Sequence, residues 1–97
     1  MIEVEKKVKF NRIVYYIKNT EILHREDGPA IEYSDGSKEW LINGNHHRED
    51  GPAIEWYDGD VEWCLNDVSF KTKELWFEAL TEEQKKKAIY SKYFIEG

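Results

Sequence analysis

The sequence predicts a mainly β protein: a meander of about six antiparallel strands, built from hairpin repeats and closed by a C-terminal helical cap. Three observations indicate this: a 23-residue segment that occurs twice, strand-like alternation between turn residues in each copy, and helix-type patterning after Phe70. With 97 residues, of which 40% are hydrophobic and 14% aromatic, we expect a single domain. Its segments are an N-terminal hairpin or partial repeat (1–23), two repeats (24–46 and 47–70) and two short helices (71–97).

The N-terminal segment is predicted to be a degenerate hairpin of the same kind. Residues 15–19 stand where residues 39–43 stand in the first full repeat, with one extra residue before His24. Residues 1–10 alternate apolar and charged side chains, a pattern unlike a signal peptide or a membrane span. We therefore expect a cytoplasmic protein.

The central repeat is the strongest signal in the chain. Residues 24–32 and 47–55 are identical at all nine positions, with the sequence His-Arg-Glu-Asp-Gly-Pro-Ala-Ile-Glu. Over the 22 pairs that start at His24 and His47, 14 are identical. A period of this length is typical of repeats in which each copy is one supersecondary unit that buries its apolar face against a neighbour.

Each copy reads as a β-hairpin that follows a corner. In the first copy, Asp35-Gly36 and Asn43-Gly44 are turn signals between alternating segments. The Asp-Gly-Pro triplets are predicted to be structural corners, because glycine tolerates positive φ, proline suits a strand start, and aspartate bonds to nearby backbone groups. The corner residues are Asp27, Gly28, Pro29, Asp50, Gly51 and Pro52.

Strand alternation predicts an apolar face and an acidic face. The predicted core residues are Ile31, Tyr33, Trp40, Ile42, Ile54, Trp56, Trp63 and Leu65. The opposite face is predicted to carry Leu41, Cys64 and an acidic ladder made of Glu32, Glu39, Glu55 and Glu62. On the same face, Tyr57 replaces the Ser34 of the other copy and is a candidate interface anchor.

The C-terminal segment is predicted to form two short helices. Thr72 can cap a first helix, and Thr81 with Gln84 three residues later fits a capping box for a second. We expect their apolar residues to close the open end of the sheet.

At these positions the chain resembles the MORN-repeat family, most of all variant copies with a His-Arg-Glu-Asp-Gly-Pro-Ala core in phage and bacterial proteins. The resemblance covers residues 24–70. The matching positions are His24, Gly28, Asp35-Gly36, Glu39-Trp40, Asn43-Gly44, His47, Gly51, Asp58-Gly59, Glu62-Trp63 and Asn66. It implies successive antiparallel hairpins, and a role in contacts with other molecules rather than a shared chemistry.

The net charge of the chain limits the kinds of partner that we expect. The whole chain has a net charge of −6, and residues 24–70 alone carry −9. Such a surface repels phosphate groups, so we expect no direct nucleic-acid or membrane binding and a protein partner with a basic surface. Because the resemblance points to phage and mobile-element proteins, we expect a small inhibitor that occludes a nucleic-acid-binding host protein, such as an anti-CRISPR or another anti-defence factor.

Several alternatives remain open at this point. The His-Arg-Glu-Asp clusters could serve acid–base catalysis, as in a small hydrolase, or hold a metal, although identical duplicates favour a structural corner and we expect no enzyme activity, metal or cofactor. The aromatic stripe could stack on a ligand instead of forming the core. The ladder glutamates could pair locally with Arg25, Arg48 and Lys38. The chain could act as a monomer, a homodimer or a self-associating scaffold.

Overall fold

In a computed structural model, which describes residues 2–94, the protein is mainly β with two short C-terminal helices, as predicted. The strands are β1 (Val4–Val8), β2 (Arg12–Ile17), β3 (Ile31–Tyr33), β4 (Lys38–Glu39), β5 (Leu41–Ile42), β6 (Asn45–His46), β7 (Ile54–Glu55), β8 (Val61–Leu65) and β9 (Val68–Phe70). The helices are α1 (Lys73–Glu78) and α2 (Glu82–Ala88).

Seven strands form one antiparallel sheet in the order β1-β2-β3-β4-β7-β8-β9, and β5 and β6 form a second, two-stranded sheet. Backbone hydrogen bonds attach the segments between strands to both sheets, since Arg25 N donates to Leu41 O in β5 and Arg48 N donates to Cys64 O in β8. The predicted count of six strands is too low because one strand of the first repeat is interrupted, and because β6 and β9 follow the asparagine turns as further strands. Trp40 marks this interruption, between β4 and β5.

Two kinds of turn alternate along the meander. At one end of the sheet, three-residue loops close the hairpins, with Gly36 and Gly59 at φ values of 97° and 96°. At the other end, Asn43 and Asn66 take positive φ in two-residue turns. Asparagine and glycine tolerate this conformation better than other residues.

The three-residue loops correct the predicted sheet faces. The prediction treated Asp35-Gly36 as a two-residue turn, whereas Tyr33 N donates to Ser37 O and Ile31 lies opposite Glu39. A shift of one residue moves each side chain of the second strand to the other face. One face, the isoleucine face, therefore carries Ile31, Tyr33, Glu39, Leu41, Ile54, Glu62 and Cys64. The other, the tryptophan face, carries Glu32, Lys38, Trp40, Ile42, Glu55, Trp63 and Leu65.

The core consists of two clusters rather than one stripe. Val14, Ala30, Ile31 and Leu41 form the first, mainly on the isoleucine face. Trp76, Leu80 and Ala88 form the second, where the helices pack against the tryptophan face at Trp63, Leu65 and Phe70.

Burial confirms part of the predicted core. Ile31 and Ile54 are buried as predicted, whereas Trp56 is 40% exposed, so its assignment to the core is wrong. The remaining predicted core residues, Tyr33, Trp40, Ile42, Trp63 and Leu65, are half-buried. Leu41 and Cys64, predicted on the acidic face, are buried because the register shift turns them inward. Burial raises the pKa of the Cys64 thiol, and the nearby Glu62 adds to the effect.

The helix starts were predicted correctly. Thr72 caps α1, its hydroxyl accepting from Leu75 N. Thr81 caps α2 in a complete capping box with Gln84. Residues 95–97 of the predicted helical segment lie outside the described residues. Among residues 2–94, no helix combines the length and apolar character that crossing a membrane requires.

Candidate protein-binding surface

An arginine organises each corner. Arg25 donates from Nε to Asp27 Oδ1 at 2.9 Å and from a terminal nitrogen to Pro29 O at 3.1 Å, and its guanidinium lies 4.1 Å from the ring centre of Tyr15. The second corner repeats this geometry around Arg48, whose guanidinium lies 3.8 Å from the ring centre of Trp40. Sequence reasoning missed this role, although the exact duplication of the arginine was its signal.

The corner glycines and aspartates act differently from what was predicted. Neither Gly28 nor Gly51 has positive φ. A Cβ atom would lie 2.9 Å from Arg25 Cζ at Gly28, and 2.6 Å from Tyr93 Cε2 at Gly51, so glycine is needed for close approach. Asp27 and Asp50 pair with the arginines, and neither accepts from a backbone group within residues 2–94.

The two corner histidines hold the next turn in place. Nδ1 of His24 accepts from Asn43 N at 2.9 Å, and Nδ1 of His47 accepts from Asn66 N at 3.1 Å. Because Nδ1 is an acceptor, the proton of the neutral ring lies on Nε2, which faces Glu26 at 3.2 Å in the first corner. These contacts explain why both copies of the repeat carry a histidine at this position: it has a structural role.

The acidic ladder is not a single surface. The register places Glu32 and Glu55 on the tryptophan face, and Glu39 and Glu62 on the isoleucine face. This placement removes the predicted docking surface, because two glutamates point away from the other two. The physical reason is the one-residue register shift at the three-residue loops.

Local pairing holds three of the four glutamates. Glu39 accepts from the Tyr33 hydroxyl at 2.7 Å and lies 2.6 Å from His46 Nε2. Burial and this hydrogen bond raise the pKa of Tyr33 to about 12. His46, whose backbone N donates to Asp67 Oδ1, thereby connects the isoleucine face to the turn after β8.

Glu55 is held on the tryptophan face. It accepts from Arg48 at 3.2 Å and from the Tyr93 hydroxyl. Burial and the bond to Glu55 raise the pKa of Tyr93 to about 12. Glu32 lies 4.0 Å from Arg25. The predicted local pairing of the ladder glutamates is therefore confirmed for Arg25 and Arg48. Lys38 instead donates to Gly36 O.

A groove on the tryptophan face separates the two corners. It has a volume of about 1010 Å³ and is lined by Trp40, Ile42, both arginines, the corner carboxylates and Tyr90 near the end of α2. Trp40 is therefore partly accessible beside the groove, while Arg48 covers its ring. Among the described residues, no three His, Cys, Asp or Glu side chains form a metal-binding group.

The predicted interface anchor lies at the tip of the β7–β8 hairpin. Tyr57 is 72% exposed, and its backbone N donates to Ser37 Oγ at 3.0 Å, which fixes this tip beside the β3–β4 tip. The two adjacent tips also carry three exposed carboxylates: Asp35, Asp58 and Asp60. We call these residues, with the 40%-exposed Trp56, the tip surface.

The cation Lys38 lies next to the tip surface, where its Nζ donates to Gly36 O at 3.4 Å beside Asp35. Asp35 Oδ1 accepts from Ser37 N and Asp58 Oδ1 from Asp60 N, which shapes the two turns. None of the three aspartates forms an ion pair with another described residue. The tip surface thus combines exposed aromatic rings with three carboxylates that form no ion pair with another described residue.

The chain matches no protein-family model, no curated protein and no solved structure. The resemblance to MORN repeats therefore stays a prediction from the residues.

Proposed function

We propose that this protein is a non-enzymatic protein-binding module that contacts a basic surface of its partner through the tip surface. The observation that carries the proposal is Tyr57, an aromatic side chain 72% exposed on a tip surface whose three aspartates form no ion pair with another described residue. Tyrosine is enriched among residues that dominate binding energy at protein interfaces. A rim of like charge steers an oppositely charged partner and suppresses wrong ones.

In its narrower form, the proposal is that the partner is a host protein that binds nucleic acid, and that binding occludes its basic site. The net charge of −9 over residues 24–70 supports this, because such a surface competes for positive charge that otherwise binds phosphates. The resemblance to phage and bacterial repeats supports an anti-defence inhibitor, such as an anti-CRISPR protein. We place its action in the cytoplasm of the host cell.

The test replaces residues at the second hairpin tip with the residues that stand at the same positions in the first copy of the repeat. Ser34 and Ser37 occupy in the first copy the positions of Tyr57 and Asp60 in the second. The variant Tyr57→Ser/Asp60→Ser therefore gives the second tip residues that the same turn already accommodates. A matched control, Glu21→Ser/Tyr90→Ser, removes an exposed tyrosine and an exposed acid elsewhere.

Affinity capture with the wild-type protein, followed by mass spectrometry, identifies the partner, and calorimetry with the purified partner measures binding. We expect the tip variant to bind at least tenfold more weakly, and the control to bind as the wild type does. Equal binding by the tip variant would contradict the proposed surface. Fluorescence anisotropy with labelled nucleic acid tests the narrower form, which fails if the bound protein leaves the partner's nucleic-acid affinity unchanged.

A further inference from the structure

The free edge of the sheet is the strand β1. It is the first strand in the sheet order, all five of its residues are exposed, and among residues 2–94 β2 is the strand with which it pairs. An unpaired edge presents backbone N–H and C=O groups that can pair with another strand.

The register with β2 shows which backbone groups point outward. Lys18 N donates to Glu3 O, and Lys9 N donates to Arg12 O, both at 2.8 Å. In an antiparallel pair, bonded and non-bonded residues alternate, so the odd-numbered residues of β1 bond to β2. The even-numbered residues Val4, Lys6 and Val8 therefore direct their N–H and C=O groups toward the free edge.

The sequence of this strand is complementary to itself in one antiparallel register. If Lys6 lies opposite Lys6 of a second copy, Glu5 lies opposite Lys7 and Glu3 opposite Lys9. By two-fold symmetry this gives four opposite-charge pairs against one like-charge pair, Lys6 with Lys6 of the second copy, and every outward backbone group faces another. Opposite charges directly across two strands are favourable.

The neighbouring registers are worse. Shifts by a single residue place outward groups against inward ones, so the ladder cannot form. Each symmetric register has one like-charge pair at its centre, but centring on Glu5 leaves only two opposite-charge pairs, both between Glu3 and Lys7, and centring on Lys7 also leaves only two. The latter register retains only the Glu5–Lys9 type of charge pair within residues 3–9.

The exposed apolar residues of this region fit the same register. Val4 lies opposite Val8 of the second copy, and Ile2 lies near Phe10 of the second copy, which belongs to the turn that follows Lys9. Val8 is 75% exposed and Phe10 is fully exposed in the single chain. All four side chains would bury apolar surface against each other on the tryptophan face, to which Val4 and Val8 belong with Ile13 and Ile17.

We propose that two copies of this protein form a symmetric dimer by antiparallel pairing of β1 with β1, centred on Lys6. The second copy is the occupant that the charge pattern selects, because the strand contains both members of each pair. This interface is independent of the tip surface.

Charge reversal and its rescue test the register. Lys7→Glu puts Glu5 opposite a glutamate at both symmetric positions, and we expect the dimer to dissociate at concentrations at least tenfold higher. The double variant Glu5→Lys/Lys7→Glu re-creates the opposite-charge pairs in reverse and restores the wild-type dissociation constant. Sedimentation velocity over a range of concentrations gives the constants, and circular dichroism checks that each variant keeps its sheet.

A backbone variant tests the ladder itself. Lys6→Pro removes an outward N–H that β2 does not use, so the chain should fold and fail to dimerise. A wild-type protein that stays monomeric at millimolar concentration overturns the proposal, as does a folded double variant that fails to regain the dimer. The tip variant Tyr57→Ser/Asp60→Ser should dimerise normally, which separates this proposal from the proposed function.

Discussion

Arg48 has more partners than any other side chain described above. It bonds to Asp50, Pro52 O and Glu55 and stacks on Trp40, and its guanidinium lies 5.5 Å from the ring centre of Tyr93. Its equivalent Arg25 has the same corner contacts but lies 4.0 Å from Glu32 and has no counterpart of Tyr93. The exact repeat thus supplies a pair of nearly matched sites in one molecule.

We expect Arg48→Ala to lower the free energy of unfolding by about 2–4 kcal/mol, because it removes charge-assisted hydrogen bonds and a cation–π contact and leaves Glu55 without its cation. Arg25→Ala should cost about half as much. Urea unfolding followed by tryptophan fluorescence measures both. Equal losses at the two sites would show that Glu55 and Tyr93 contribute nothing to the corner.

The raised pKa of Tyr33 predicts that the folded protein loses stability at alkaline pH. Its pKa is raised to about 12 in the folded protein from an ordinary value of 10.0, so the folded state retains a proton that the unfolded state loses. The stabilisation is therefore complete below pH 10 and disappears as the pH rises toward 12. Tyr33→Phe should be about 1 kcal/mol less stable at pH 7, yet lose less stability between pH 10 and 12. Parallel pH profiles for the two proteins would refute this assignment.

The three-residue hairpin loops decide the faces of the strands. Gly59 has a φ of 96°, and a Cβ atom placed there would meet no atom within 4 Å. A substitution at this position therefore tests backbone strain without steric crowding.

Gly59→Val should lower the free energy of unfolding by about 1–2 kcal/mol, the cost of a left-handed conformation for a branched side chain. Gly59→Asn should cost less, because asparagine visits this region more readily. Thermal unfolding by circular dichroism gives the order. If valine and asparagine were equally tolerated, the loop would have to change its conformation.

The sequence predicts hairpins, corners and helix starts because each depends on residues close together in the chain. The Thr81–Gln84 capping box is one example, and the exposed Tyr57 at a turn is another. The register was missed because an Asp-Gly pair fits both a two-residue turn and the end of a three-residue loop. The bond between Tyr93 and Glu55 joins residues 38 positions apart, which no local pattern reveals.

For the molecule as a whole, the helices contribute the second half of the core. Trp76 is fully buried, its ring centre lies 4.8 Å from that of Trp63, and its Nε1 donates to Arg48 O at 3.1 Å. This side chain connects the helices to the sheet and to the second corner at once.

Trp76→Ala should therefore lower the free energy of unfolding by about 3–5 kcal/mol, the usual cost of removing a buried tryptophan. Leu75→Ala, one residue away in α1 but 54% exposed, is the matched control and should change stability by about 0.5 kcal/mol or less. Chemical denaturation of both variants makes the comparison. A small effect at Trp76 would mean that the sheet is stable without its helical cover.

The repeat ends because different residues follow residue 69 at the positions that would begin a third copy. The pairing of strands nevertheless continues through β9. At the start of each copy, a histidine backbone N donates to the preceding hairpin: His24 N to Tyr15 O, and His47 N to Trp40 O. Phe70 takes the equivalent position opposite Trp63. Lys71 follows it where the corners have arginine. A duplication of the codons for residues 47–69 would join Ser69 to His47, at a position equivalent to the His46–His47 step in the present chain. Each duplication would lengthen the sheet by two strands, about 10 Å, and add another groove of the same design. Replication slippage can therefore change the length of the sheet in steps of two strands.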